Sequence, residues 1–231
     1  MNKFVLAFPV NVPQTAPFKL TETFQIDACA KTVMIPGCSV MFDVVRKERC
    51  ECLSDIFREH NEISLEEAKD IDSHESLLFL LGNVKNAEEL GMVNGVIMKV
   101  LAAGAKGVYM QHSGTAWTAS AFREELDDAE FPMDPWINFV EGPGTLYTLG
   151  LETFGMPDLC ISVTSETAKD SRDILSVVAD SVFVDGVSSK SGTEVDGGDA
   201  GTFVLRAEAK SPFSKDDPEF NKRGLMRLFK K

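Results

Sequence analysis

The sequence predicts an α/β fold, also described as α+β, in a single domain: a mixed β-sheet with a right-handed βαβ unit and helices packed on the sheet. Two observations predict this class. Buried-strand patterns alternate with amphipathic helical patterns through the middle of the chain, and strand-like runs cluster near both ends. With 231 residues, the chain can also bury a substantial hydrophobic core.

The βαβ unit is the clearest local pattern. The run 77–81 is continuously apolar, as in a strand covered on both faces, and 107–110 is a second apolar run. Between them, Asn86 with Glu89 predicts a helix start and Gly104 a helix end. The apolar stripe of this helix is Leu90, Val93, Ile97, Val100 and Leu101. The two strands are therefore expected to be parallel, with a right-handed crossover.

Gly91 and Gly95 lie four residues apart within this helix. Each glycine weakens an isolated helix by roughly 1 kcal/mol relative to alanine. We therefore expect a compensating close approach of the helix to the sheet at these positions.

The remaining elements follow from apolar spacing and turn residues. Pro36-Gly37 predicts a type II turn inside a hairpin, and Ser64 with Glu67 forms a capping-box pattern. Further strands are predicted at 3–10, 31–35, 40–45, 136–140, 145–151, 159–163 and 203–207, further helices at 52–59, 64–73, 116–126 and Thr164–Phe183, and a loop at 185–201. We assign residues 1–210 to the domain and 211–231 to a polar, basic C-terminal tail.

Charge and cysteine content restrict the partners and the compartment. The formal net charge is −13, and an acidic surface repels nucleic-acid phosphate and anionic lipid, so neither is an expected partner. Five free-thiol candidates, no signal peptide and no apolar run of membrane-spanning length predict a cytoplasmic protein. Protein or small-molecule partners remain.

The best candidate site is Gln111-His112-Ser113-Gly114-Thr115, just past the predicted strand 107–110. Ligands of open α/β sheets collect at the carboxyl ends of parallel strands. His112 could act as a base and Ser113 as a nucleophile, with Glu152 as a buried carboxylate. Gln111, Gly114 and Thr115 would contact a ligand, and the helix start that follows could bind an anion. Alternatively, Ser113 or Thr115 only caps that helix.

Other chemistries lack a complete motif. No P-loop or G-x-G-x-x-G fingerprint occurs, so no nucleotide cofactor is predicted. Cys50-Glu51-Cys52 is not a zinc-binding CxxC pair, and the three histidines are scattered. The acidic loop Asp196–Asp199 could offer oxygen ligands to a hard cation, but a solvated turn is the simpler interpretation. We predict no metal and no cofactor.

Several segments carry a family resemblance. They are Ala102–Tyr109 followed by Ser113-Gly114, the strand Phe79–Gly82, the segment Tyr147–Leu159 and the turn Asp196–Gly201. In these, residues 75–210 resemble the bacterial family called domain of unknown function 4261. The resemblance implies a bacterial protein with one such domain, and it brings no established activity or catalytic residues.

Two functions are therefore compared. The first is a non-catalytic binding or regulatory module, because no metal set, nucleotide loop or catalytic triad pattern is present. The second is a small hydrolase-like enzyme that uses His112 and Ser113 at the end of a parallel strand, with Glu152 or an acid of the 196–199 loop. Binding of an anion or metabolite at the loop after the second βαβ strand is a third possibility.

Overall fold

The computed structural model describes residues 3–164, 168–217 and 220–231. Its elements form two compact units. The N-terminal unit comprises Lys3–Gln111 and Thr115–Pro132, and the C-terminal unit comprises His112–Gly114 and Met133–Lys231. The mixed α/β class is confirmed, while the number of independently folding domains stays a prediction. Each unit is described by itself.

The N-terminal unit contains a six-stranded sheet, a small two-stranded sheet and four helices. Its elements are β1 (Phe4–Val10), β2 (Phe18–Lys19), β3 (Gln25–Ile26), β4 (Thr32–Met34), β5 (Met41–Glu48), α1 (Leu53–His60), α2 (Leu65–Asp72), β6 (Ser76–Gly82), α3 (Ala87–Ala102), β7 (Gly107–Met110), β8 (Thr115–Thr118) and α4 (Ala119–Asp128). The predicted caps are confirmed: the Ser64 hydroxyl and Glu67 form a capping box on α2, and Asn86 caps α3.

The order of the large sheet is β4-β5-β6-β1-β7-β8, and every adjacent pair is antiparallel. Strands β6 and β7 each run antiparallel to β1, so they are parallel to each other as predicted. They are not neighbours, however, because β1 lies between them. The βαβ pattern could not reveal this insertion, since β1 comes from the start of the chain.

Helix α3 buries its predicted stripe, which includes Leu90, Val93 and Val100. The close approach expected at Gly91 and Gly95 is wrong: a Cβ at either position would meet no atom within 4 Å. Both glycines are exposed on the side of α3 away from the stripe, so nothing packs against them.

A hairpin replaces the strand-to-helix loop predicted after residue 110. Strands β7 and β8 pair directly, and α4 begins only at Ala119, with Thr118 as its N-cap. The predicted helix 116–126 therefore starts before the observed helix α4. Thr115, Trp117 and Thr118 belong to residue types that favour strands, and pairing with β7 decides their conformation.

The C-terminal unit contains the second six-stranded sheet and a long helix. Its elements are β9 (Asn138–Gly142), β10 (Thr145–Leu149), β11 (Asp158–Ser162), α5 (Ala168–Phe183), β12 (Glu194–Asp196), β13 (Thr202–Ala207) and β14 (Leu225–Lys230), with short 3-10 helices at Asp134–Trp136, Leu151–Phe154 and Gly198–Ala200. The predicted helix Thr164–Phe183 is observed from Ala168, and its positions 165–167 lie outside the described residues.

The order of this sheet is β12-β13-β14-β11-β10-β9. The pair β14–β11 is parallel and the other pairs are antiparallel, so the sheet is mixed. Strand β14 was missed by the sequence analysis, which placed it in the polar, basic tail. The run Leu225–Lys230 contains the charged Arg227 and Lys230, so its apolar pattern was not recognised, although Leu225 and Leu228 are buried.

Aromatic side chains and α5 complete the core of the C-terminal unit. The rings of Phe154 and Phe183 lie 4.8 Å apart between centroids, and Trp136 contacts Phe154 edge-on. Leu175 and Val178 of α5 are fully buried, as the predicted stripe requires. None of the described helices is long and apolar enough to span a membrane.

Candidate functional site

The predicted site residues form the tight turn between β7 and β8. Gln111 is exposed, His112 is half-buried, and Gly114 has the positive φ of +73° that the turn requires. Thr115 is buried as the first residue of β8. The turn therefore follows a strand whose neighbours are both antiparallel, and α4, the next helix along the chain, begins only after β8. The ligand edge expected at the end of a parallel strand is absent here.

Ser113 is buried against neighbouring residues and is not accessible from solvent. Its side chain is only 3% exposed, and its carbonyl oxygen accepts a hydrogen bond of 3.1 Å from Asn138 Nδ2. A Cβ built on Gly150 would lie 2.7 Å from the Ser113 Cβ, so the two backbones meet closely. Glu152, two residues after Gly150, is also buried. The structure thus brings Ser113 beside the turn that carries Glu152, in a buried environment.

A different feature has the dimensions of a ligand site. A groove of about 610 Å3 runs along the end of β5 in the N-terminal unit, within the range of roughly 300–1,000 Å3 typical of ligand pockets. It is shallow and largely open to solvent. It is lined by Gln14, Thr15, Ala28, Cys29, Ala30, Val44, Val45 and Arg46.

The groove exists because β4 is shorter than β5. Strand β4 pairs with β5 as far as Asp43, and the Val44 N–H donates to the carbonyl of Lys31. Beyond Val44, the described strands give β5 no further partner on this side. The Gln14 side chain occupies part of the vacated edge, where its Nε2 donates to the Arg46 carbonyl at 3.0 Å.

Arg46 is the chemically distinctive residue of the groove. Its side chain is 91% buried, since its exposed fraction is 9%. Nη1 donates to the carbonyl of Ala16 at 3.3 Å, and Nη2 donates to Pro13 O at 3.1 Å and to Ser76 Oγ at 2.8 Å. Its Nε is buried and makes no hydrogen bond. The loop that precedes β2 is therefore folded around a guanidinium group.

The charge of this guanidinium is not balanced by an acid. No carboxylate of the described residues lies within 4.0 Å of it. Burial lowers the pKa of Arg46, and no neighbouring charge contributes to the change. Arginine nevertheless remains protonated in proteins, so the positive charge persists. Carbonyl dipoles stabilise it only in part, because a buried charge normally requires an ionic partner.

The lining residues suit an anionic ligand. Gln14 and Thr15 supply polar groups at one wall, while Ala28 and Ala30 leave room at the other. Cys29 is an exposed thiol within the groove and offers a direct chemical reporter of occupancy. Sequence reasoning missed this site because Arg46 lies in an ordinary strand pattern. The available signal was its place after Phe42 and Val44, on the inward-facing positions of β5.

Metal binding finds no further support in the described part of the chain, where no group of three or more His, Cys, Asp or Glu side chains could hold an ion. The acidic loop forms a turn in which the Gly198 N–H donates to Asp196 Oδ1 at 3.1 Å. This bond agrees with the simpler interpretation of that loop.

Comparison with known proteins adds no relative: no family model, no curated protein and no solved structure matches this chain. The resemblance to the domain of unknown function 4261 family therefore stays a prediction. The geometry of the groove beside Arg46 is therefore the basis for the function proposed below.

Proposed function

We propose that the protein is a non-catalytic binding or regulatory module that takes a small organic anion, through a carboxylate or phosphate group, into the groove beside Arg46. The observation that carries this proposal is the buried guanidinium with no carboxylate partner among the described residues. An anion in the groove would supply a negative charge near this guanidinium, and the Coulomb attraction between them would favour its binding.

The chain's overall charge makes this position selective. With a net charge of −13, most of the surface repels anions. A buried cation at one groove therefore offers anions a local attraction that the rest of the surface does not. We expect binding to weaken as salt is added, because screening reduces the attraction.

The hydrolase-like alternative receives less support. A nucleophile that acts on an external substrate must be reached by it, whereas the Ser113 side chain is almost fully buried against Gly150. The roles of His112, Ser113 and Glu152, and ligand contacts by Gln111, Gly114 and Thr115, stay predictions.

Cysteine alkylation tests the proposal directly. Iodoacetamide labelling is followed by peptide mass spectrometry with inorganic phosphate, succinate or choline at constant ionic strength. Phosphate or succinate should slow the labelling of Cys29 roughly tenfold at about ten times its Kd, because only the unoccupied groove reacts. Cys50, which is exposed outside the groove, is the internal control. The two anions distinguish phosphate from carboxylate recognition, and choline should have no effect.

Two matched variants locate the charge. Arg46→Met removes the guanidinium and should abolish protection of Cys29, whereas Arg49→Met removes an exposed arginine outside the groove and should preserve it. Thr15→Trp fills the groove from an exposed position and should also abolish protection, which keeps the test valid if Arg46→Met unfolds. Unchanged labelling of Cys29 with both anions, or equal losses in both arginine variants, would overturn the proposal.

A further inference from the structure

Two thiols lie two residues apart on the surface of the N-terminal unit, between β5 and α1. Cys50 and Cys52 are both exposed, and neither is in a disulfide. Cysteine is among the residue types that proteins bury most often, so two exposed cysteines within three residues require an explanation. The groove beside Arg46 includes neither of them.

The turn at this point places the two cysteines within disulfide range. Glu51 and Cys52 form a turn, and α1 begins directly after it at Leu53. Two residues of extended chain span at most about 7 Å, and a turn shortens that span. Disulfides join residues whose Cα atoms lie about 4.4–6.8 Å apart. The spacing of the pair therefore permits an intramolecular disulfide within the turn.

The backbone of Cys52 has an unfavourable conformation. Its φ of +55° and ψ of 32° are left-handed, and no other non-glycine residue in the described part of the chain has a positive φ. A side chain with a Cβ disfavours this region, so surrounding contacts must hold it there. Glycine would meet the same backbone requirement without strain. What Cys52 adds at this position is its thiol.

Hydrogen bonds fix the chain on both sides of the pair. The fully buried His74 has Nδ1 2.7 Å from the Ile71 carbonyl, which can only accept, so Nδ1 donates. Its Nε2 is then free to accept from the Cys50 N–H at 3.2 Å. On the other side, the Asp72 carboxylate accepts from the Ser54 N–H at 2.9 Å and from its hydroxyl at 2.7 Å. Both ends of the turn are thus attached to the end of α2.

We propose that Cys50 and Cys52 are a pre-organised, redox-active dithiol that exchanges with low-molecular-weight disulfides such as glutathione disulfide. The thiolate of one cysteine attacks a sulfur of the small disulfide, forms a mixed disulfide and releases one glutathione. The second cysteine attacks the protein sulfur of that mixed disulfide, so the Cys50–Cys52 bond forms and the second glutathione leaves. The two protein thiols lose two electrons and two protons, and glutathione disulfide takes them up to become two glutathione thiols.

The dependence on glutathione concentration identifies such a pair. The reduced full-length chain is equilibrated with glutathione and its disulfide, quenched with acid, alkylated and analysed by peptide mass spectrometry. The ratio of disulfide to dithiol depends on the glutathione disulfide concentration divided by the square of the glutathione concentration, because two glutathione molecules are released. Diluting both forms by about tenfold at a fixed ratio should therefore raise the ratio about tenfold. Cys29, exposed and outside the pair, forms only a mixed disulfide, and its modified fraction should not change.

Three variants attribute this response to the pair. Cys52→Ser leaves Cys50 as a single thiol, so only a mixed disulfide should form, and its fraction should not change on dilution. Cys50→Ser should give the same result at Cys52 and keeps the test valid if one variant does not fold. Glu51→Gln alters the same exposed turn but retains both thiols, so it should keep the full response.

A comparison with the unfolded chain tests the contribution of the fold. In concentrated guanidinium chloride the hydrogen bonds from His74 and Asp72 are lost, and the equilibrium constant for closing the disulfide should fall about tenfold or more. Equal constants in the folded and unfolded chains would overturn the proposal, because any flexible Cys-X-Cys segment would then serve as well. It would also be overturned by a wild-type response that dilution does not change, or by an equal response in Cys52→Ser and Cys50→Ser.

Discussion

Each unit of this protein buries an ionisable side chain, Arg46 in one and Asp158 in the other, that has no oppositely charged side chain within 4.0 Å among the described residues. The two groups respond to burial in different ways. Arg46 in the N-terminal unit cannot lose its proton near neutral pH, so its charge is met by carbonyl oxygens beside an open groove. Asp158, the buried first residue of β11 in the C-terminal unit, can take up a proton, and it borders a recess of only about 10 Å3. A permanent charge favours a site for a counterion, whereas a removable charge favours a pH response.

The polar groups that surround Arg46 and Asp158 also differ. Arg46 is surrounded by acceptors: the carbonyls of Pro13 and Ala16 and the hydroxyl of Ser76. Asp158 Oδ1 accepts a hydrogen bond of 3.2 Å from the Leu151 N–H, which favours the ionised carboxyl group, while burial favours the neutral one and outweighs it. Arg46 keeps its charge at every physiological pH and leaves its Nε without a hydrogen bond, whereas Asp158 is uncharged only below neutrality.

The largest expected effect tests the removable charge. The pKa of Asp158 is about 7 in the folded protein against an ordinary value of 3.8, so the folded state keeps this proton over a range where the unfolded chain has lost it. The stability contributed by the protonated form is therefore fully present below about pH 4 and is lost as pH rises to about 7. Urea unfolding of the wild type and of Asp158→Asn should differ in this range by a changing amount, on the order of 4 kcal/mol in total.

The control for this measurement is Asp185→Asn, which should follow the wild type at every pH. A constant difference between the wild type and Asp158→Asn from pH 4 to pH 8 would contradict the assigned titration. Asp158 would then keep a constant charge over this pH range, as Arg46 does.

The next effect tests how closely the C-terminal unit is packed where Ser113 enters it. Gly150→Ala places a methyl group against the Trp136 carbonyl oxygen and 2.7 Å from the Ser113 Cβ, at a φ of +107°. We expect a loss of about 3 kcal/mol in the free energy of unfolding, from overpacking together with backbone strain. Gly144→Ala has a φ of +67° and no atom within 4 Å, so it should cost only about 1 kcal/mol. Equal costs, measured by urea unfolding, would show that Ser113 is not confined by this contact.

A somewhat smaller effect tests the permanent charge. Arg46→Met removes the donor that satisfies Pro13 O, Ala16 O and Ser76 Oγ, and it should reduce the unfolding free energy by about 2 kcal/mol. Arg49→Met removes an exposed arginine and should change it by less than about 0.5 kcal/mol. If Arg46→Met proved as stable as the wild type, the guanidinium would not stabilise the loop that precedes β2. Its contribution to anion binding would then come from its charge alone.

The smallest effect provides a reference away from both groups. Ser64→Ala removes the capping box of α2 and should cost about 1 kcal/mol in unfolding free energy. This loss should be equal at pH 6 and pH 8 and unaffected by phosphate. A pH-dependent or phosphate-dependent loss would show that the two buried groups influence distant elements, which would weaken the assignment of each response to its own unit.

Local patterns predicted the elements whose signals are contained in a few residues. The capping box of α2, the Asn86 cap of α3, the Pro36-Gly37 hairpin and the stripe of α3 are all confirmed, because each depends on hydrogen bonds or spacing within one segment. The errors lie where distant pairing prevails. Residues 115–118 became a strand by pairing with β7, and the basic run at 225–230 became an inner strand between β13 and β11.

The candidate sites also depend on contacts between residues that are distant in the sequence. The hypothesis about His112 and Ser113 placed them between the end of β7 and a helix start; the structure has β8 directly after them and α4 only from Ala119, and their chemical roles stay predictions. Arg46 and Asp158 drew no attention in the sequence, because one charged residue in a strand pattern is ordinary. What makes them unusual is the set of groups around them, which come from positions 13–16 and 76 in one case and 148–151 and 221 in the other.

The sequence by itself determined the mixed α/β class, the approximate places of the helices and of the strands other than β2, β3, β8, β12 and β14, and the acidic character. Propensity, periodicity and charge are properties of short segments and of composition. Only the tertiary structure decided the strand order, the insertion of β1 between β6 and β7, the place of β14 and the burial of Arg46 and Asp158. The physical reason is that desolvation and the choice of pairing partner depend on residues far apart in the chain, and no local pattern encodes which of them meet.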